Sequence, residues 1–150
     1  MRIHHVCQIV SDMDEALKLY VDFLGFRVVV DQSIPGGRYF SQPELDDIFK
    51  VKDARSRMVI LWSEEKTMIE LQQPSRPVVQ KVPVESLRYG YVGFSELAFK
   101  VDNIAEWFEK VKASPYQMQT DYIWEIDGIL KSFLFYDNDG CMIQMIEDAI

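Results

Sequence analysis

Residues 3–10, a mostly apolar run interrupted by His4, His5 and Gln8, read as a strand. Ser11 and Asp12 then offer a helix N-cap, and Ala16, Leu17, Tyr20, Val21 and Leu24 recur at helical spacing. A helix is therefore predicted over 13–24, with Gly25 as its stop. Residues 26–31 are rich in β-branched side chains and read as a strand. Pro35, Gly36 and Gly37 open a long irregular stretch reaching to about Asp53. Two more strands, 57–63 and 67–72, are joined by Glu64, Glu65 and Lys66. The order is β, α, β, β, β.

Residues 74–92 hold Pro74, Pro77 and Pro83 without a sustained period, which suits a linker over the surface. The order then begins again. A strand over 96–101 leads to Asp102 as N-cap and to a helix over 103–112 whose apolar face is Ile104, Ala105, Phe108 and Val111. Strands over 118–126, 129–136 and 142–147 follow, with turns at Asp127-Gly128 and Asp137 to Gly140. The two halves align directly: HVCQIVSDMDEALKLY from His5 lies on ELAFKVDNIAEWFEKV from Glu96, and TMIELQQ from Thr67 on CMIQMIE from Cys141. His5 thus falls on Glu96, and Glu70 on Gln144. The reading is one domain, 1–150, of α+β class: module one over about 1–73, a linker over about 74–92 and module two over about 93–150.

Composition narrows the class. With 48% hydrophobic and 27% charged residues, 150 residues can bury a sizeable core without disulfide or structural metal. The opening residues enter the first strand directly, and no apolar run approaches the ~18 residues of a membrane span, so the expectation is a cytoplasmic protein with no membrane partner. Cys7 and Cys141 are read as small buried hydrophobes rather than a disulfide framework. A net charge of -8 and scattered basic residues argue against nucleic acid and leave a small molecule as the expected partner.

His5, Glu70, Glu96 and Gln144 are polar residues among apolar ones, at the start of the first strand and the middle of the last in each half. Alternation puts Met68, Glu70 and Gln72 on one face, and likewise Met142, Gln144 and Ile146. An unpaired buried carboxylate costs roughly several kcal/mol, so an inward Glu must be paired, protonated or bound to a cation. Two carboxylates, an amide and an imidazole converging on one point would make a divalent-metal site. His4 falls on the opposite face of a regular strand and is read as structural.

The run HVCQIV-SDMDEALKLYVDFLGF resembles the opening strand, helix and helix stop of the glyoxalase, bleomycin-resistance and extradiol-dioxygenase (vicinal-oxygen-chelate) superfamily. FYDNDGCMIQMIE resembles its closing hairpin, and the likeness covers nearly the entire chain. The resemblance implies two βαβββ modules forming an eight-stranded U-shaped mixed sheet around a central cup. It also implies metal ligands on the first and last strands of each module, where His5, Glu70, Glu96 and Gln144 stand. The chain departs from metal-binding members at Glu96, where a second His is usual, and at Gln144, where a Glu is usual. One imidazole nitrogen and three oxygens suit a single divalent ion: Mn, Co, Ni, Mg, Fe or Zn.

Ring-cleaving members need two His and a carboxylate around iron, and fosfomycin-type transferases likewise draw on two separated histidines, whereas the two histidines here are adjacent. The resemblance therefore implies the epimerase and glyoxalase I branch: an isomerase, epimerase or lyase working through an enolate, as methylmalonyl-CoA epimerase does. Glu70 and Glu96 are the candidate bases, and Glu96 is preferred because a displaceable ligand can also take a proton. Trp62 and Trp124 are the expected pocket walls, chosen from strand aromatics that include Phe133, Phe135 and Tyr136. Arg38 and Tyr39, in the loop over 33–53, are candidates to cover the substrate and contact an anion. The rival class is a metal-free cup that sequesters a small molecule, as drug-resistance members do. A homodimer is expected in either case.

Overall fold

Strands β1 (Val6–Ile9), β2 (Arg27–Gln32), β3 (Arg55–Trp62) and β4 (Met68–Arg76) form one sheet of order β1-β4-β3-β2. Strands β5 (Glu96–Lys100), β6 (Trp124–Ile126), β7 (Leu130–Tyr136) and β8 (Met142–Asp148) form a second of order β5-β8-β7-β6. In each sheet the first strand pairs parallel with the last, and the remaining pairs are antiparallel. The computed structural model describes residues 2–32 and 39–148. Its compact units are Met1–Lys81 and Val82–Ile150, one sheet in each. The α+β class and the repeated βαβββ order hold, with the eight strands divided four and four.

Helix α1 (Met13–Leu17) starts where Asp12 Oδ1 accepts the amides of Asp14 and Glu15 at 3.0 and 3.1 Å, the N-cap the sequence offers. It runs on as a π-helical turn over Lys18–Phe23. Gly25, at φ 83°, closes it while the Phe26 amide bonds back to the Tyr20 carbonyl at 2.9 Å. Met13, Leu19 and Tyr20 are buried. Tyr20 Oη donates to Gln8 Oε1 at 2.6 Å, and Gln8 pairs with Leu71, so α1 covers the Gln8 and Leu71 face of the first sheet. The face carrying Glu70 is the opposite one.

Four expectations need correction. The irregular stretch contains helix α2 (Gln42–Phe49), closed at its start by Ser41, whose amide and hydroxyl both donate to Glu44 Oε2. Strand β4 passes through Pro74 to Arg76. Its pairing with β1 ends at Gln72, and beyond that point a proline leaves no ladder bond on that side unmade. Helix α3 (Ile104–Lys112) is capped by Asn103 rather than Asp102. Strand β6 is only Trp124–Ile126, Met118 contributing an isolated bridge to Phe135. In the second unit α3 lays Phe108 edge-on against Phe133 at 5.3 Å, fixing that face of β7 as the helix side.

The cysteines are free thiols and neither is buried, contrary to the expectation. Cys141 is nonetheless pushed up to about 12, first by desolvation of its sulfur and then by the Asp137 and Asp139 carboxylates. A thiol that titrates higher folded than its ordinary 9.0 favours the folded chain most at pH below 9.0, and loses that contribution as pH rises towards about 12. Cys141→Ser is therefore expected to make the alkaline fall in melting temperature shallower, as read from thermal denaturation on both sides of that range.

Candidate functional site

In the first unit Cys7 pairs with Glu70 across β1 and β4, and Glu70 with Ile60 across β4 and β3, so these side chains share the face turned away from α1. Glu70 is 7% exposed. Its two oxygens are used differently. Oε1 accepts from Gln72 Nε2 at 2.7 Å and from the Cys7 thiol at 3.6 Å, while Oε2 lies 3.7 Å from His5 Nε2. Gln72, 2% exposed, is fixed in turn by Ser56 Oγ, which donates to its Oε1 at 2.6 Å. The Cys7 thiol is raised to about 12, by desolvation first and then by the Glu70 charge and hydrogen bond, so it stays a proton donor to the carboxylate.

Strand β1 begins only at Val6, so alternation does not govern His4 and His5. Their rings meet edge-on, with Nδ1 to Nδ1 at 2.8 Å. Holding His5 by Nδ1 leaves Nε2 facing Glu70. Among the described residues no lysine or arginine pairs with Glu70. The result is a buried carboxylate with one oxygen saturated by donors and the other open towards an imidazole. Two donor atoms 3.7 Å apart fit within the span of one ion bound at about 2.1 Å by each, so this pair suits a divalent cation.

The second unit repeats the register. Ala98 pairs with Gln144 as Cys7 pairs with Glu70, and Glu96 stands two residues before Ala98 as His5 stands two before Cys7. Glu70 and Gln144 are thus equivalent in strand pairing, whereas Glu96 lies inside β5 and His5 just before β1. Their surroundings differ, because Ala98 and Ile146 occupy the places of Cys7 and Gln72 and offer Gln144 no donor. Glu96 instead accepts from Tyr89 Oη through Oε2. That hydrogen bond, followed by desolvation and the Glu96 charge, raises the Tyr89 phenol to about 12. Arg88 stacks on Tyr136 at 3.9 Å and donates to the Gly140 carbonyl at 2.7 Å. Tyr136 and Glu96 both pair with Met142, so residues 88 and 89 lie along one row of this face. The sequence reading passed over both, since 74–92 has no periodicity to single them out.

Trp62 pairs with Met68 and so shares the Glu70 face. Trp124 pairs with Ser132, on the Gln144 face. Phe133 and Phe135 lie on the helix side of β7. Arg38 lies outside the described residues. An open depression of about 450 Å³ in the second unit, lined by Lys112 and residues 118–122, touches none of the candidate residues. Among the described residues no group of three or more His, Cys, Asp and Glu side chains comes together as a metal-binding cluster. Nor is any described helix long and apolar enough to cross a membrane.

A family model described as Glyoxalase/Bleomycin resistance protein/Dioxygenase superfamily matches residues 2–145. No curated protein matches the sequence. Among solved structures, a glyoxalase family protein from Bacillus cereus is similar at TM-score 0.82 and 13% identity, over 99% of this chain and 94% of that one. A glyoxalase family protein from Enterococcus faecalis is similar at TM-score 0.68 and 21% identity, over 97% of each chain. A fosfomycin resistance protein from Mesorhizobium loti is similar at TM-score 0.61 and 18% identity, over 96% and 89%. At such identities the likeness speaks for the fold alone.

Proposed function

The chain belongs to the glyoxalase/bleomycin resistance protein/dioxygenase superfamily, and from that footing we propose that it is a divalent-metal-dependent isomerase, epimerase or lyase. It acts on the carbon beside a carbonyl of a small substrate. The observation that carries the reading is Glu70, a carboxylate 7% exposed with no lysine or arginine partner among the described residues, its Oε2 turned to His5 Nε2. His5 and Glu70 would hold the ion, one of Mn, Co, Ni, Mg, Fe or Zn. When bound, it would supply Lewis-acid stabilisation of the enolate that proton removal leaves on the substrate.

Gln72 and Cys7 keep Glu70 Oε1 occupied, so the carboxylate presents a single oxygen. His5, engaged through Nδ1 by His4 Nδ1, would present the lone pair of Nε2 to the ion. Glu96 takes and returns the substrate proton through Oε1, the oxygen not bonded to Tyr89. Tyr89 holds that carboxylate in place. Trp62, on the Glu70 face, walls the substrate, and the protein works as a homodimer.

The test is exchange of the α-proton into deuterated water, followed by NMR with methylmalonyl-CoA and with the glutathione hemithioacetal of methylglyoxal. Exchange that requires added Mn or Co and falls at least about a hundredfold in Glu96→Gln is expected. Metal uptake without exchange on either compound would count against the catalytic reading. The absence of a three-residue cluster among the described residues, and the bond already made by Glu96, favour a second reading as a metal-free small-molecule binder of the drug-sequestering type.

A further inference from the structure

At one end of the first sheet Met68, Trp62 and Arg27 stand opposite one another on β4, β3 and β2, in the row beside Glu70 and Ile60 and on their face. The Arg27 guanidinium lies 5.3 Å from the centre of the Trp62 ring and Lys66 Nζ 5.0 Å from it. Lys66 reaches the ring from the turn between β3 and β4, where its φ of 66° and its amide bond to the Ser63 carbonyl fix the backbone. Two cations therefore share one indole on the face that carries Glu70.

Neither has a carboxylate partner among the described residues, although Glu64 and Glu65 lie in the same turn. Arg57 shows the ordinary alternative, spending its guanidinium on Asp14 and Asp31 at 2.8 Å each. The Trp62 indole N–H is also buried without an acceptor. In a chain of net charge -8, two like charges and an unmet donor gathered at one residue are complementary to an oxyanion.

We propose that Arg27 and Lys66, over Trp62, form the subsite for an anionic group of the ligand: phosphate, phosphonate or carboxylate. The proposal rests on reading the Glu70 face as the substrate face. Adjacent rows on one face are about 7 Å apart along a strand. The anion therefore stands several bonds from the carbonyl at Glu70, which disfavours α-oxo acids and fits longer substrates that carry a remote anionic group.

The chain has three tryptophans, so a ¹⁵N-labelled sample shows three indole N–H signals, and Trp62→Phe identifies the one from Trp62. The metal-free protein is titrated with inorganic phosphate, methylphosphonate and acetate at constant ionic strength, so that general screening does not change. A saturable shift of the Trp62 signal, with those of Trp107 and Trp124 unmoved, is expected for at least one of the three. Affinity should fall about tenfold or more in Arg27→Gln/Lys66→Gln, whose sites are exposed and tolerant. No saturable shift with any anion, or equal affinity in the double variant, means an adventitious ion only and overturns the proposal. The same sample titrated with Mn tests the metal reading separately, since the anion readout needs no metal.

Discussion

Glu70→Ala is expected to lower the affinity for Mn by more than the about 10–100-fold that removing an outer-shell partner costs. The reason lies in how the carboxylate is held. Gln72 Nε2 at 2.7 Å and the Cys7 thiol at 3.6 Å orient Oε1, so Oε2 faces His5 Nε2 without reorganisation. Alanine removes the donor oxygen and the charge together. Gln72→Leu leaves the ligand but frees its rotamer, and should cost the smaller, outer-shell amount. Stability of the metal-free chain should move little in Glu70→Ala. The variant gives up two hydrogen bonds but also the burden of a buried charge with no lysine or arginine partner among the described residues. Calorimetric titration of the wild type and both variants checks the order, and equal affinity in all three would contradict it.

Phe133→Ala is expected to cost about 3–5 kcal/mol of folding stability. The ring is 0% exposed. It meets Phe108 of α3 edge-on at 5.3 Å and Phe135 at 6.4 Å, so truncation opens a cavity between the second sheet and α3. Phe133→Leu refills much of that volume and should cost clearly less. Urea denaturation should show a lower midpoint with an unchanged slope, because the surface exposed on unfolding is nearly the same. A cost for Phe133→Ala below about 1 kcal/mol would mean that this face of β7 is not the core packing described.

Much of this was legible in the residue pattern, because the features with strong periods are those set by local chemistry. Glu70 and Gln144 stood out as polar residues interrupting apolar strands, and strand pairing makes their positions equivalent. Asp12 and Gly25 announced the ends of the first helix through capping and left-handed backbone. Helix α2 was missed although Ser41 and Glu44 spell a capping box, because Pro35, Gly36 and Gly37 marked the whole stretch as irregular. Pro74 stopped the strand reading early, since sequence does not say which side of a strand has lost its neighbour. The support around the site was least visible. Cys7 reads as a small hydrophobe until β1 is laid beside β4, and Tyr89 gains a role only when the linker is seen folded onto Glu96. Long-range placement of this kind leaves no local period.

The most direct test of the metal reading is an anomalous difference map from crystals of the protein soaked with Mn. A single peak within bonding distance of His5 Nε2 and Glu70 Oε2 is the predicted result. A map with no peak at Glu70, or one whose peak lies away from these two side chains, would contradict the account and leave the metal-free binder in its place.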